Sequence, residues 1–156
     1  MFPLLPGEAT PVEPRNGGTP GNHTIVMVFP SPVTFTGVTT NGGTATTTPA
    51  PNSAPVSEVT VNLTGVPNAQ VVNVALSGVS SGGAPVTIGT AMKVLLGDTN
   101  IDGTVNSGDS QQTRTRSGQL VNKDIFRNDV NLDGTINSGD SFIVRRQSGT
   151  GGTIAR

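Results

Sequence analysis

A mainly β chain with a small α unit at its carboxyl end is the fold class this sequence predicts. Three observations predict it. From about His23 to Leu96, apolar and polar residues alternate at a period of two. Gly-, Pro- and Asn-rich clusters cut that alternation into short runs. Beyond Leu96 the pattern changes. An acidic segment, Asp98–Asp109, returns 31 residues later as Asp129–Asp140, and each copy runs into a short helical stretch.

Taken in order, residues 1–21 hold Pro3, Pro6, Pro11, Pro14 and Pro20 with Gly17-Gly18, which reads as an extended arm or linker. Residues 22–96 read as strands. Thr24–Phe29 is apolar on both faces, as a central strand would be, and Val33–Val38 supplies another. Asn41–Pro55, rich in Thr, Pro and Ala, reads as a long loop. Val59, Val61 and Leu63 alternate with Thr60, Asn62 and Thr64; Val72, Val74 and Leu76 alternate with Asn73 and Ala75; Val86–Leu96 follows. Six or so short strands predict an immunoglobulin-like β-sandwich. The chain has five Phe and no Trp or Tyr, so the core of such a sandwich is small. It is expected to gain stability by packing against the carboxyl-terminal unit through Val94–Gly97.

The duplicated segment is the most specific feature. Asp98–Gly118 and Asp129–Gly149 agree at 13 of 21 positions. Each copy places oxygen-bearing side chains at positions 1, 3, 5, 9 and 12 of a loop, with Gly at 6, which is the ligand order of an EF-hand calcium loop. Calcium is a hard cation that takes six to eight oxygens, and a short loop supplies them only by wrapping around the ion. In the first copy Asp98, Asn100 and Asp102 converge, Gly103 permits the turn, Thr104 offers its carbonyl, Asn106 acts through water and Asp109 closes the sphere. Asp129, Asn131, Asp133, Thr135, Asn137 and Asp140 repeat those roles, with Gly134 at the turn. Val105 and Ile136 point the other way, into a core. Six of the ten acidic residues occupy positions 1, 5 and 12, where they would repel one another without a metal. Two Ca2+ ions are expected. Asp at position 12 is a methylene shorter than the Glu of an ordinary EF-hand, so the chain must approach the ion more closely.

Only the exiting helix of each repeat is plausible. Ser110–Ser117 runs to Gly118 and Ser141–Ser148 to Gly149, with Arg114, Arg116, Arg145 and Arg146 in the later turns, where they suit the helix dipole. Phe142, Ile143 and Val144, with Leu120, Val121, Ile125, Phe126 and Val130, are the expected core. The tandem of calcium loop and exit helix, with Asp at position 12, resembles a type I dockerin domain over residues 97–150, leaving 151–156 as a flexible tail. Dockerins are non-catalytic plugs that bind cohesin domains and tether enzymes of polysaccharide breakdown, or other proteins, into extracellular assemblies. The resemblance implies a partner surface at loop positions 10 and 11, here Ser107-Gly108 and Ser138-Gly139; Gly stands where the family commonly has a Thr-type residue. Arg114 and Arg145 extend that surface.

Composition narrows the alternatives. The net charge of −1 offers no electrostatic case for nucleic acid or an acidic membrane. No apolar stretch approaches the ~20 residues that cross a bilayer. Met1–Pro6 lacks the basic and long apolar regions of a signal peptide. The absence of Cys and the abundance of Gly, Pro, Thr, Ser and Asn suit an extracellular or cell-surface β-rich protein. Asn22 and Asn62 match glycosylation triplets. An enzyme has little to stand on: His23 is the only His, and the acids outside the loops, Glu8, Glu13, Glu58 and Asp124, are dispersed. A docking module is therefore the leading reading. The alternative is a structural subunit of an extracellular filament, in which Phe2, Leu4 and Leu5 on the arm add a strand to a second copy and calcium stiffens the polymer. A third reading is calcium with a structural role alone.

Overall fold

β-branched runs and their punctuation give seven strands in the computed structural model, which describes residues 10–151. They are β1 (Val12–Glu13), β2 (His23–Val33), β3 (Gly37–Thr40), β4 (Thr44–Thr48), β5 (Val56–Thr64), β6 (Gln70–Val79) and β7 (Val86–Val94). Two helices follow, α1 (Ser107–Arg116) and α2 (Ser138–Arg146), with a 3-10 turn at Phe126–Asn128. The arm tip Phe2, Leu4 and Leu5, the acid Glu8 and the tail after Gly151 lie outside the described residues.

The chain divides into two compact units. One gathers Gly21–Val66 and Val72–Ala91. In it, β2, β5 and β4 form an antiparallel sheet with β5 in the middle, Ile25 opposite Val61 and Ala45 opposite Leu63. β3 pairs antiparallel with β6, Val38 opposite Leu76, in a second sheet ordered β1-β7-β6-β3. Val59, Val61 and Leu63 of β5 and Val72, Val74 and Leu76 of β6 are buried, while the residues between them are not. The period-two reading thus selects the inward faces, and two sheets in this arrangement are consistent with a sandwich.

Two expectations are corrected here. β2 is an edge of its sheet, not its centre, and Val28 is 62% exposed. Apolar character on both faces was a misleading cue because one face of an edge strand can carry valine in water at small cost. The long loop Asn41–Pro55 contains β4, whose Thr46 and Thr48 stand opposite Asn62 and Thr60. A run of β-branched threonine favours the strand conformation without offering an apolar face to read.

The other unit gathers Pro11–Pro20, Pro67–Val71 and the chain from Met92 onward. β1 lies parallel to the end of β7, Val12 opposite Lys93 and Glu13 opposite Val94. Leu95, Val105, Val130 and Val144 form its core, with Val12, Leu96 and Ile143 packed against them. Of the expected core, Ile125, Val130 and Val144 are buried and Val121, Phe126 and Ile143 half-buried. Leu120 and Phe142 are corrections, being 87% and 59% exposed. In α2 the buried face runs through Ser141 and Val144, three residues apart, which turns Phe142 toward solvent. Leu120 sits in the turn beyond α1.

Candidate metal centre

Each acidic loop builds itself from short-range hydrogen bonds. In the first, Asp98 accepts the amides of Asp102 (3.1 Å) and Gly103 (3.0 Å) on its two carboxylate oxygens. Asp102 Oδ1 accepts the amide and hydroxyl of Thr104, both at 2.9 Å, and Asp102 Oδ2 accepts from Asn100 Nδ2 at 2.8 Å. Asp109 Oδ1 accepts the Asn100 amide and Oδ2 the Asn106 amide. The second loop repeats the pattern: Asp129 accepts from Asp133 and Gly134, Asp133 from Thr135 and Asn131, and Asp140 from the amides of Val130, Asn131 and Asn137.

The loop ends are also helix starts. Asn106 caps α1 and Asn137 caps α2, both with φ −148° and ψ −164°, and each forms a reciprocal capping box with the aspartate three residues on. This explains why both helices begin three residues earlier than Ser110 and Ser141. Position 9 is the N-cap and position 12 is N3, so the first helical turn belongs to the loop. Gly103 and Gly134 take φ of +93° and +87°, a conformation that suits glycine at the turn. Ile101 and Leu132, at position 4, share φ +61°. Such a backbone costs a side-chain-bearing residue about 1–2 kcal/mol, and both loops adopt it.

Burial separates the carboxylates. Asp98, Asp109 and Asp140 are fully buried and Asp129 nearly so, whereas Asp102 and Asp133 are exposed. Desolvation pushes the Asp98 and Asp129 carboxyls up, against the pull of the Gly103 and Gly134 amides. Asp102 is held below the ordinary carboxylate range first by the Thr104 amide and then by Asn100; Asp133 is held down first by the Thr135 hydroxyl and then by Asn131.

Long-range contacts complete each loop from the far side of the other repeat. Val105 donates its amide to Thr150 O and accepts from the Gly149 amide, both at 2.8 Å, beyond the end of α2. Ile136 O accepts the Gly118 amide at 2.9 Å, beyond the end of α1. Bridges between Thr104 and Gly151 and between Leu120 and Thr135 extend this exchange. A Cβ on Gly151 would lie 2.5 Å from Gly103 O. Sequence reasoning missed Asn128, which is fully buried, accepts from Arg116 and donates to Thr113 Oγ1 at 3.0 Å. It also missed Asn68, which accepts the Leu96 amide at 2.8 Å and donates to Gln147 at 3.1 Å. Neither carries a local motif; burial and distant partners single out Asn128, and distant partners alone single out the exposed Asn68.

Among the residues assigned to partner binding, Ser107, Arg114 and Arg145 line one open groove of about 450 Å³ with Ser110, Gln111 and Ser148. Ser138, Gly108 and Gly139 are not among its lining; Ser138 and Gly108 are exposed and Gly139 half-buried. Of the glycosylation triplets, Asn22 is half-buried, and Asn62 stands half-buried in β5, accepting from Thr24 Oγ1 at 3.3 Å.

The donor set fits a hard cation. Among the described residues no three carboxylate, imidazole or thiolate groups cluster as a metal site by themselves. A cage at either loop would add the Asn side chains and the Thr carbonyls to the aspartates. All of those donors are oxygens at the positions calcium loops use. A carboxylate oxygen that accepts one amide keeps a lone pair for a metal.

Residues 96–148 match the dockerin type I domain family. No curated protein and no solved structure matches the chain. A dockerin type I domain thus occupies the carboxyl-terminal third, preceded by the two-sheet β region. Among the described residues no helix is long and apolar enough to cross a membrane.

Proposed function

We propose that this chain is a calcium-dependent docking module in which Asp98–Asp109 and Asp129–Asp140 each hold one Ca2+. Type I dockerins bind calcium, are non-catalytic and imply a cohesin partner. Proteins that contain them are typically secreted or displayed at the cell surface. The ligands are Asp98, Asn100, Asp102, the Thr104 carbonyl, Asn106 and Asp109, with Asp129, Asn131, Asp133, the Thr135 carbonyl, Asn137 and Asp140 in the second loop. The carrying observation is the repetition of one hydrogen-bonded loop, cap and helix in both halves of a stretch that matches the dockerin family.

When bound, calcium supplies positive charge that offsets three carboxylates per loop. The residues of the chain do the rest. Asp98 and Asp129 brace the turns through backbone amides, and Asp109 and Asp140 join each loop to its helix cap. Helix orientation then depends on the loops being closed, and the exposed residues of α1 and α2 form the surface a cohesin meets. Dockerins typically act in cellulosome assembly, and a role in tethering cargo for polysaccharide breakdown extends that reading to this chain. The test is a pull-down of the full chain with a cohesin panel, in calcium and in chelator. Capture in calcium that is lost in chelator supports the reading; no calcium-dependent partner would overturn it.

A further inference from the structure

We infer that residues 11–16 act as a positioning strap for the calcium unit, tying the approach to one loop to the first turn of the other. This rests on the calcium reading above. The strap lies about eighty residues before the stretch that matches the dockerin family, so that match assigns it nothing.

Three backbone carbonyls of the strap face one strand end, beside the parallel pairing of β1 with β7. Pro11 O accepts the Lys93 amide at 2.8 Å, Glu13 O the Leu95 amide at 3.1 Å, and Pro14 O the Gly97 amide at 2.8 Å. Pro11 and Pro14 lack an N–H and hold φ near the extended value, so this Pro-rich segment loses little backbone freedom when it docks. Val12 packs on the core of Leu95, Val105, Val130 and Val144, and Pro14 is buried. At its far end the Asn16 amide donates to Val130 O at 2.9 Å. Between them Arg15 pairs with Glu13 at 2.7 Å and lies 5.0 Å over the Phe126 ring, two residues before Asn128.

The two ends of the strap meet the two loops on either side of their first ligands. Gly97 immediately precedes Asp98, the first ligand of one loop. Val130 immediately follows Asp129, the first ligand of the other, and its amide donates to Asp140 at 2.7 Å. These hydrogen bonds, the β1–β7 pairing, the packing of Val12 and the burial of Pro14 therefore set the path of the chain into both loops. If docking the strap favours the metal-ready loops, calcium must favour the docked strap by the same factor.

The test uses the full chain. Asn16→Pro removes the donor to Val130, whereas Asn16→Ala keeps it and removes only the side-chain oxygen that accepts the Gly18 amide. By calcium calorimetry, Asn16→Pro is expected to weaken at least one site by about fivefold or more, and Asn16→Ala to stay within about twofold. In the unaltered chain, calcium is expected to slow hydrogen exchange at the amides of Asn16, Lys93, Leu95 and Gly97, a measurement that holds even if Asn16→Pro misfolds. Unchanged affinity in Asn16→Pro, or unchanged exchange at those four amides, overturns the strap while the unaltered chain still binds calcium. No calcium binding by the unaltered chain overturns the docking reading and the strap together.

Discussion

The two repeats share a cage and differ in a face. Their loops superimpose in chemistry: the same donors, the same N-cap angles and the same glycine turn, with equivalent hydrogen bonds agreeing within about 0.3 Å. The helices that leave them do not. α1 reads Ser-Gly-Asp-Ser-Gln-Gln-Thr-Arg-Thr-Arg and buries Thr113, while α2 reads Ser-Gly-Asp-Ser-Phe-Ile-Val-Arg-Arg and buries Val144. Phe142 is exposed beneath the Arg146 guanidinium, 5.7 Å from its ring, where the first repeat has Gln111. Under the proposed calcium reading every oxygen of a loop is constrained by the ion, which accounts for two loops so alike. A helix face is constrained only by what it touches, so the two faces have been free to diverge.

Removing calcium from both loops is expected to be the largest perturbation. At free calcium near a hundred times Kd, binding stabilises by about 2.7 kcal/mol per site, so chelator should lower the Tm of the calcium unit markedly in calorimetry. The same increment shrinks on acidification, because calcium needs deprotonated ligands. Burial raises the Asp98 and Asp129 carboxyls, so these protonate before Asp102 and Asp133 as pH falls. Without the ion, their charged forms cost stability above the raised pKa, and that cost disappears as pH falls through it. Asp102 and Asp133 act oppositely: their hydrogen bonds stabilise the fold above the ordinary carboxylate pKa and are lost as pH falls through their depressed values. A calcium-induced rise in Tm that stays constant down through the carboxylate range would contradict this assignment.

Next in size is the loss of one closing carboxylate. Asp109→Ala leaves the part-buried amides of Asn100 and Asn106 without their acceptor and removes half a capping box. A loss of about 2–4 kcal/mol is expected from that alone. Asp140→Ala should match it, since three amides converge there, and calorimetry of either variant should show one calcium site gone and one retained. Two sites lost together, or none, would break the equivalence of the loops.

Exchanging the buried helix residues sharpens the difference between the halves. Thr113→Val strips the acceptor from Asn128 Nδ2, and Val144→Thr puts a hydroxyl into the Leu95, Val105 and Val130 cluster. Each swap should destabilise by about 1–3 kcal/mol in urea unfolding, although each installs the residue the other repeat carries at that position. The smallest effect is expected at the surface. Phe142→Gln should leave stability within about 0.5 kcal/mol but weaken a cohesin that uses the second face by about tenfold. Gln111→Phe is the complementary variant: a gain at the first face would show that Phe142 alone distinguishes the two.

Legibility differed by range. Alternation in Val59–Leu63 and Val72–Leu76 marked buried faces because every second residue is apolar. β4 was hidden because Thr satisfies a strand without announcing an inside. Residue pattern alone places the helix starts three residues late, because a cap and a ligand draw on the same side-chain oxygen of Asn106 and Asn137. Phe142 was placed in the core because apolar composition does not reveal which way a two-turn helix is rotated.

The order of amino acids by itself determined the two loops, because each is closed by contacts within twelve residues and needs only the right oxygens, a glycine and a cap. Tertiary structure alone decided what surrounds them. Val105 meets Gly149 and Thr150, Ile136 meets Gly118, Asn128 joins Arg116 to Thr113, and Pro11–Asn16 returns along Lys93–Gly97. Those pairings join backbone groups and lone polar side chains far apart in the chain. A backbone amide carries no residue identity, so no pattern of residues could have named its partner.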